Sequence, residues 1–348
     1  MATVAFHTLG CKVNSYESEA MLEIFKKRGY DNIDFESPAD VYVINTCTVT
    51  NTGDSKSRQM IRKAHRTNPD AVICVVGCYS QVASEEITEI EGVSVVLGTQ
   101  HRASIVDFVE EYKMTHKQIV KIENVMKVSR FEDLSIHAFE NKTRAFLKIQ
   151  DGCNNFCTYC IIPYARGGVR SRPKEDVLRQ AQELVDRGFV EIVLTGIHTA
   201  GYGVDLDNYS FYDLLVDLTT KIKGLKRLRI SSIEMSQVSD EIIELIGRSP
   251  IIVDHLHIPI QSGTDSILRR MARHYNTAEF EKKYFELKEA LPGISITTDV
   301  IVGFPGETEE DFVDTYNWIK KLHFNQLHVF PYSRRKGTPA DRMPSQVP

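Results

Sequence analysis

Three cysteines within eight residues, Cys153, Cys157 and Cys160, could do the most specialised chemistry in this 348-residue chain. They follow a predicted strand, in a loop that contains glycine and asparagine, so their thiolates can close on one metal centre. A cubane [4Fe–4S] cluster normally takes four thiolates, and three would leave one iron open to bind a ligand. The alternatives are a zinc loop or inert core thiols. Zinc sites usually pair two Cys-x-x-Cys or Cys/His elements, and no second element follows here.

A second group of cysteines, Cys11, Cys47 and Cys78, is dispersed in sequence but regular in placement. Each follows a predicted strand, and parallel strands of one sheet bring such loops to the same edge. We therefore expect a second three-thiolate site with an open position, and unrelated loop cysteines remain the alternative. Cys74 differs because it lies inside the strand Ile73–Val76, where a buried inert thiol is the better interpretation.

These loops need a sheet to position them, and the first part of the chain alternates apolar runs with helical patterns. The predicted strands are Val4–Thr8, Val41–Asn45, Ala71–Val76 and Val93–Leu97, and the predicted helices after the first are Asp54–Arg66 and Ser84–Ile90. The pattern Asn14-x-x-Glu17 predicts a capping box for the first helix, which ends at Gly29. Alternating elements with continuous apolar strands predict an α/β fold, a doubly wound parallel sheet covered on both faces.

The second part of the chain repeats this rhythm six times. The predicted strands are Ala145–Gln150, Glu191–Leu194, Arg227–Ser231, His255–Ile260, Ile296–Val302 and Gln326–Tyr332. One helix runs from Pro173 to Gly188, and others begin after the candidate caps Ser210, Ser239, Thr277 and Thr308. Six β–α units predict a partial (β/α)6 barrel related to the TIM barrel, with its site at the carboxyl ends of the strands.

We place the domain boundaries by these patterns. Residues 1–125 form the first domain, 126–143 a linker, 144–335 the barrel domain, and 336–348 a polar tail that indicates a truncated chain. The N-terminus has no basic and apolar leader, and no apolar run is long enough to span a bilayer, so we expect a cytoplasmic protein. An odd count of seven cysteines disfavours a disulfide framework. A net charge of −5 argues against nucleic-acid binding over the whole surface.

On these residues the sequence resembles the methylthiotransferase family of radical S-adenosylmethionine (SAM) enzymes. Its spacing Cys153-x-x-x-Cys157-x-x-Cys160 matches the radical SAM signature, and the trio Cys11, Cys47 and Cys78 matches the family's N-terminal domain. Further matches are His257-Ile-Pro-Ile-Gln-Ser-Gly263, Asp299-Val-Ile-Val-Gly-Phe-Pro-Gly-Glu307 and Tyr332-Ser333…Gly337-Thr-Pro-Ala340. The stretches Cys160–Gly167 and Thr195–Gly203 are similar to the bacterial branch that acts on threonylcarbamoyladenosine in tRNA.

The resemblance implies two [4Fe–4S] clusters and SAM as cofactors. It implies that SAM is split to methionine and a 5′-deoxyadenosyl radical, and that sulfur and a methyl group are added at carbon 2 of the modified adenine next to the anticodon. The implied partners are a tRNA anticodon stem-loop, an electron donor such as flavodoxin or ferredoxin, and a sulfur donor. Candidate cofactor-binding residues are Tyr159, Gly196, Glu234, Gln261 and Gly303.

RNA contact requires a local cationic surface in so acidic a chain. Arg166, Arg170 and Arg172 follow the cysteine loop and are candidates for phosphate contact, because guanidinium forks match phosphate oxygens. The family's C-terminal RNA-binding TRAM domain is not found in this sequence. The alternatives are methylthiolation of another tRNA base or of a ribosomal protein, and a non-catalytic iron–sulfur or zinc protein.

Overall fold

A computed structural model describes residues 2–134, 136 and 143–347. It divides into two compact units. Unit 1 comprises Met1–Lys142, Asp151–Asn154 and Ile161–Arg172, and unit 2 comprises Thr143–Gln150, Asn155–Cys160 and Pro173–Pro348. The predicted linker at 126–143 lies partly outside the described residues. The segments 151–154 and 161–172 pack within unit 1, whereas the sequence placed them in the second domain.

The described residues contain fourteen strands and twelve α-helices. The strands are β1 Ala2–Thr8, β2 Tyr30–Asn32, β3 Val41–Thr46, β4 Val72–Gly77, β5 Val93–Leu97, β6 Ile119–Lys121, β7 Ala145–Lys148, β8 Gln150–Asp151, β9 Arg170–Ser171, β10 Glu191–Thr195, β11 Arg227–Ile230, β12 His255–His257, β13 Ser295–Val302 and β14 Gln326–Pro331. The helices are α1 Lys12–Lys27, α2 Asn51–Thr67, α3 Cys78–Val82, α4 Ser84–Thr88, α5 Ile105–Thr115, α6 Ile162–Arg166, α7 Lys174–Asp186, α8 Phe211–Lys221, α9 Asp240–Arg248, α10 Asp265–Arg270, α11 Thr277–Ala290 and α12 Glu309–Leu322.

Unit 1 is built on a six-stranded parallel sheet in the order β2-β1-β3-β4-β5-β6. Strands β3, β4 and β5 are buried along their whole length, as expected for central strands covered on both faces. Side chains of α1 and α5 form a core on one face, and α2 lies over the other. The predicted doubly wound sheet is therefore confirmed. The sequence missed β2 and β6, because three-residue edge strands carry little pattern.

The predicted capping box at Asn14 and Glu17 is wrong. Helix α1 begins at Lys12 with Cys11 as its N-cap, and the cap has no side-chain hydrogen bond. Asn14 and Glu17 lie inside the helix, and their side chains are 1% and 0% exposed. Burial of a charge requires a partner of opposite sign. The pattern therefore marks a buried polar site rather than a helix start.

Unit 2 contains the predicted six parallel strands in chain order. Strands β7, β10 and β11 form one sheet and β12, β13 and β14 another, and isolated parallel bridges at Leu228–Ile252 and Ser232–His257 join β11 to the β12 side. Ser210, Ser239 and Thr308 cap their helices as predicted, and Ser210 and Thr308 also form capping boxes. The predicted cap at Thr277 is wrong by one residue, since Asn276 caps α11. In the described residues, no helix combines the length and the apolar character that crossing a membrane requires.

Candidate metal centres

Strand ends of unit 1 carry the first cysteine trio. Cys11 follows β1 as the N-cap of α1, Cys47 directly follows β3, and Cys78 is the first residue of α3 after β4. Since β1, β3 and β4 are neighbours in one parallel sheet, their carboxyl ends meet at one edge. The structure therefore brings these three loops together, where the sequence placed them.

Two glycines show how closely the three loops approach. A Cβ added at Gly10 would lie 2.8 Å from Cβ and 3.0 Å from Sγ of Cys47. A Cβ added at Gly77 would lie 2.6 Å from the carbonyl oxygen of Thr46. Both glycines have φ near +100°, at 102° and 104°, in the left-handed half of backbone space that L side chains rarely adopt. Any side chain at either position would push two cysteine loops apart.

Asn14 ties the same loops through its amide. Its Nδ2 donates to the carbonyl oxygens of Leu9, at 2.8 Å, and Thr46, at 3.0 Å. Leu9 precedes Cys11 by two residues, and Thr46 precedes Cys47. One buried side chain therefore fixes the backbone of two cysteine loops.

Arg166 brings a positive charge to the third loop. Its Nε donates to Sγ of Cys78 at 3.2 Å, and its Nη1 and Nη2 donate to the two carboxylate oxygens of Glu17 at 2.8 and 3.0 Å. Nη1 also lies 3.1 Å from both oxygens of Asp151, and Nη2 donates to Oδ1 of Asn14 at 2.9 Å. Burial alone would lower the pKa of Arg166, but Asp151, Cys78 and Glu17 together raise it well above its ordinary value. The guanidinium is permanently charged and held in one orientation.

A second buried arginine shares these carboxylates. Nη1 of Arg102 lies 2.5 Å from Glu17, and its Nη2 lies 2.7 Å from Glu132. Arg102 is 0% exposed. Buried ion pairs of this kind are weak evidence for stability, because desolvation offsets much of the attraction, but removal of one partner leaves an uncompensated buried charge.

The expectation that Arg166, Arg170 and Arg172 form an exposed phosphate-binding loop is wrong. All three residues are at most 1% exposed. Arg170 donates to the carbonyl oxygen of Gly168 at 2.9 Å, and Arg172 pairs with Asp133 at 3.2 Å. Carboxylates within unit 1 occupy these cations, so they offer no surface charge to a nucleic acid.

The spacing of the thiols at this site is better suited to a cluster of several iron atoms than to a single metal ion. Burial raises the pKa of Cys47, and it raises that of Cys78 to about 12 although Arg166 opposes the shift. Metal binding must therefore displace a proton from Cys78. Tetrahedral zinc with Zn–S distances of about 2.3 Å needs sulfurs about 3.8 Å apart. The sulfurs of Cys11, Cys47 and Cys78 do not all lie within 4.8 Å of one another. The wider arrangement fits a cluster better than a single ion.

Within the described residues, one group of three side chains that the sequence did not predict has its possible donor atoms within 4.8 Å of one another. It consists of His257, Asp299 and His328 on the neighbouring strands β12, β13 and β14. Nε2 of His257 lies 3.1 Å from Oδ2 of Asp299, and its Nδ1 lies 2.9 Å from the hydroxyl of Thr297. This group must be considered whenever metal content is assigned.

The second cysteine trio spans the point where the chain passes from unit 1 to unit 2. Cys153 belongs to unit 1, where its N–H donates to the carbonyl oxygen of Gly167 at 3.0 Å. Cys157 and Cys160 belong to unit 2, and the N–H of Cys160 donates to the carbonyl oxygen of Cys157 at 2.9 Å. Thr158 anchors this part of the loop, since its N–H and hydroxyl donate to carbonyl oxygens of Met271 and Arg270.

Arg273 stands beside Cys157 in unit 2. Its Nη1 donates to Sγ of Cys157 at 3.4 Å, and its Nη2 pairs with the carboxylate of Glu234. Burial alone would lower the pKa of Arg273, but Tyr159, Tyr275 and Glu234 raise it well above its ordinary value. Each trio thus contains one cysteine sulfur that accepts a hydrogen bond from a buried arginine, which a carboxylate holds in place.

Beside this pair lies a small pocket. Asn155, Cys157, His198, Glu234 and Arg273 are among the residues that line it. Nε2 of His198 lies 2.9 Å from Oε1 of Gln237, and burial lowers the pKa of His198, which keeps the imidazole neutral. The pocket therefore combines a cation, a carboxylate and a neutral imidazole next to a candidate cluster ligand.

The other sequence-predicted cofactor residues occupy varied positions. The ring of Tyr159 packs edge-on against Phe304, with centroids 6.5 Å apart. Gln261 has a left-handed backbone, and its N–H and C=O bond to Asp299 and Ile301 on β13. Gly303 has φ +73°, and a Cβ added there would have only Val347 within 4 Å, so there is space beside its backbone for another group. A Cβ added at Gly196 would lie 2.9 Å from Oε1 of Gln150, so protein atoms fill that side. A cofactor could therefore approach the backbone closely at Gly303, whereas protein atoms already occupy the space beside Gly196.

Comparison of the sequence with known proteins identifies a family for this chain. The family model described as "Radical SAM superfamily" matches residues 147–319, and the one described as "Uncharacterized protein family UPF0004" matches residues 3–98. A threonylcarbamoyladenosine tRNA methylthiotransferase of Bacillus subtilis is 60% identical over 347 residues, which cover 100% of this chain and 77% of that relative. The chain belongs to the radical SAM methylthiotransferase family. The resemblance drawn from the motifs is confirmed.

Two further matches define how far this likeness extends. A tRNA-2-methylthio-N(6)-dimethylallyladenosine synthase of Finegoldia magna is 36% identical and covers 99% of this chain and 76% of that relative. The solved radical SAM methyltransferase TsrM from Kitasatospora setae superposes with a TM-score of 0.71 at 15% identity, over 98% of this chain and 77% of that one. The second likeness shows the fold alone. As a radical SAM methylthiotransferase, the chain is an enzyme that uses SAM and [4Fe–4S] clusters.

Sequence reasoning missed several polar residues of this methylthiotransferase's sites, namely Asn14, Glu17, Arg102, Asp151 and Arg273. One signal was available for Glu17. It lies four residues before Met21, a core residue of α1, and so on the buried face of an amphipathic helix. A carboxylate on that face requires a buried cation. Arg273 follows α10 in a loop, where no periodicity marks it.

Proposed function

We propose that this chain converts threonylcarbamoyladenosine next to the anticodon of tRNA to its 2-methylthio derivative. The observation that carries the proposal is the 60% identity to the Bacillus subtilis threonylcarbamoyladenosine enzyme over the whole chain, against 36% to the dimethylallyladenosine enzyme of Finegoldia magna. Ile197 and His198 support the same branch on sequence grounds, and His198 lines the pocket beside Cys157.

The two cysteine trios divide the work in this proposal. Cys11, Cys47 and Cys78 would hold the auxiliary cluster, and Cys153, Cys157 and Cys160 the cluster that binds SAM. When bound, the second of these clusters would supply the electron for cleavage of SAM, the auxiliary cluster would carry the inserted sulfur, and a further SAM would supply the methyl group. The close approach of the Gly10 backbone to Cys47 and the hydrogen bonds from Asn14 to both cysteine loops support a preformed auxiliary site.

The pocket beside Cys157 supports a SAM site on chemical grounds. SAM carries a carboxylate and an ammonium, and the pocket offers the Arg273 guanidinium and the Glu234 carboxylate, which pair with each other in this structure. A ligand with both charges can replace each partner of such a pair without leaving a buried charge uncompensated. His198, kept neutral by burial, adds a hydrogen-bonding group whose charge does not oppose either end.

The RNA contact must come from residues other than Arg166, Arg170 and Arg172. Helix α2 supports it better, because Lys56, Arg62 and Arg66 are exposed on it. Arg58 and Lys63 of the same helix pair with Glu86 and Glu36. We therefore place phosphate contact at α2, with a sulfur donor and a one-electron donor of the flavodoxin or ferredoxin type as further partners. A tRNA substrate would place the reaction in the cytoplasm.

The test is the nucleoside content of tRNA. The chain would be expressed in a Bacillus subtilis strain that lacks its own threonylcarbamoyladenosine methylthiotransferase, and digested tRNA analysed by liquid chromatography with mass spectrometry. We expect the 2-methylthio derivative of threonylcarbamoyladenosine to reappear with the native chain and with Cys74→Ala, but not with Cys47→Ala. The control replaces a fully buried thiol outside both trios by the same residue.

Two results would contradict the proposal. Methylthiolation of isopentenyladenosine alone, or of a ribosomal protein, would assign the chain to another branch of the family. Stoichiometric zinc with little iron, in protein purified and reconstituted without oxygen, would reject cluster chemistry. About eight irons per chain is the expected content for two cubane clusters.

A further inference from the structure

Arg166 is buried inside unit 1, so its role must be sought among the groups that it touches there. It lies in α6, six residues after Cys160, and its side chain is 0% exposed. Every nitrogen of its guanidinium donates a hydrogen bond: Nε to Cys78, Nη1 to Glu17 and Asp151, and Nη2 to Glu17 and Asn14. A buried cation so fully engaged is costly to assemble, and a function at the one sulfur it touches would explain it.

We propose that Arg166 is a positioning residue that raises the reduction potential of the auxiliary cluster, the group held by Cys11, Cys47 and Cys78. The inference rests on the proposed function only in assigning a cluster to these cysteines. One-electron reduction adds one negative charge to the cluster and breaks no bond. A fixed cation and an N–H···S hydrogen bond stabilise the more negative state, so they favour uptake of the electron.

The geometry makes this effect specific to arginine. The planar guanidinium presents Nε to the sulfur of Cys78 while its two Nη atoms face the paired oxygens of Glu17 at 2.8 and 3.0 Å. Asn14, which clamps the loops of Cys11 and Cys47, also accepts from Nη2 at 2.9 Å. Lysine keeps the charge but cannot reach the sulfur, the carboxylates and the amide oxygen with one planar fork.

Arg102 offers a matched control. It is equally buried and pairs with the same Glu17, at 2.5 Å. Its described partners are carboxylates and the carbonyl oxygen of Thr99, with no cysteine sulfur among them. Replacing Arg102 removes the same charge from the same carboxylate network and leaves the N–H···S bond in place.

The experiment observes the auxiliary cluster alone. The parent is the full chain with Cys153, Cys157 and Cys160 replaced by alanine, because Gly167, next to Arg166, accepts the N–H of Cys153 and could relay a disturbance to the other cluster. Parent, Arg166→Gln, Arg166→Lys and Arg102→Gln are reconstituted without oxygen, and iron is counted. Each is then titrated with dithionite and mediators and followed by electron paramagnetic resonance.

Arg166→Gln should lower the equilibrium constant for one-electron reduction of the cluster by about tenfold, which lowers its midpoint potential by about 59 mV. Arg166→Lys should fall between that variant and the parent, and Arg102→Gln should shift the midpoint less than Arg166→Gln. An unchanged midpoint in iron-loaded Arg166→Gln, or an equal shift in Arg102→Gln, would overturn the proposal. A parent that binds no iron would instead reject the cluster assignment itself.

A double variant keeps the proposal testable if Arg166→Gln alone folds poorly. Arg166→Gln leaves Glu17 and Asp151 short of one cation, so Glu17→Gln is combined with it to remove one charge of each sign. The double variant should bind about four irons and keep the lowered midpoint. If it loads iron with the parent's midpoint, Arg166 does not set the potential. If neither variant nor Arg166→Lys assembles a cluster, Arg166 serves assembly and the tuning role is rejected.

Discussion

Glu17→Gln is the most revealing change to the stability of unit 1. The carboxylate of Glu17 is 0% exposed and lies between two buried guanidinium groups. It accepts from Arg166 at 2.8 and 3.0 Å and lies 2.5 Å from Arg102. Glutamine has nearly the same shape, so the change removes the negative charge and leaves the packing almost intact.

The size of the effect follows from the uncompensated charge. Removing one partner of a buried ion pair typically costs about 3–5 kcal/mol. We place Glu17→Gln in this range, because Asp151 and Glu132 remain to pair with the two arginines but neither replaces both contacts. For a domain of this size each kcal/mol lowers the melting temperature by about 2–4 °C, so a drop on the order of 10 °C is expected.

The assay is thermal and urea unfolding of metal-free, reduced protein followed by circular dichroism, with the urea slope compared between variants. Glu110→Gln is the control, since Glu110 pairs with Arg28 at 3.1 Å on the exposed surface. Its midpoint should match that of the native chain, because solvent screens exposed pairs. If Glu17→Gln shifts the midpoint no more than Glu110→Gln does, at an unchanged slope, the buried network does not stabilise unit 1.

Four further outcomes test the site assignments. Iron content should fall from about eight to about four per chain when Cys153, Cys157 and Cys160 are all replaced by alanine, and an unchanged content would reject the second trio as ligands. Cys157→Ala should abolish SAM cleavage, whereas Cys47→Ala should retain cleavage and lose sulfur insertion; thiolated product from Cys47→Ala would remove that trio from the sulfur site. Arg62→Glu with Arg66→Glu should weaken tRNA binding and flatten its dependence on salt, which filter binding measures, and unchanged affinity would exclude α2. Burial lowers the pKa of His198 below its ordinary 6.5, so the unfolded chain binds more protons there than the folded chain does, and stability falls as pH drops below 6.5. His198→Gln should make this fall in stability shallower, and an unaltered dependence of stability on pH would contradict the argument.

Iron analysis also requires a check on the group formed by His257, Asp299 and His328. A variant with all six cluster cysteines replaced should bind no cubane cluster. Any single metal ion that remains would be assigned to these three side chains, whose donor atoms lie within 4.8 Å of one another. The comparison separates cluster iron from adventitious metal.

Local pattern was enough to predict most strands and the edge that carries the first trio. Strands β3, β4 and β5 are continuous apolar runs, and such runs separated by helical segments predict a parallel sheet with its loops at one edge. The burial of Cys74 followed from its position within β4, and it is 0% exposed. The edge strands β2 and β6 were beyond such reasoning, because three residues that are not part of a longer apolar run cannot establish a period.

Local pattern was misleading where polar residues pair across long sequence distances. Asn14-x-x-Glu17 has the spacing of a capping box, and Arg166, Arg170 and Arg172 have the look of a surface cationic run. One residue of each pattern belongs to a shared buried network, in which Arg166 meets Glu17 across 149 residues of sequence. Neither half reveals the other, because a charge shows its partner only when the chain has folded.

The sequence by itself therefore determined the chemistry available and the elements that carry it: six cysteines in two trios, a parallel sheet and six β–α units. Those features depend on residue type and on short-range periodicity. The tertiary structure alone decided which charges surround the sulfurs. Arg166 at Cys78 and Arg273 at Cys157 are distant in sequence from the cysteines they touch. Folding places them there because a buried guanidinium is stable only where groups such as carboxylates offset its charge.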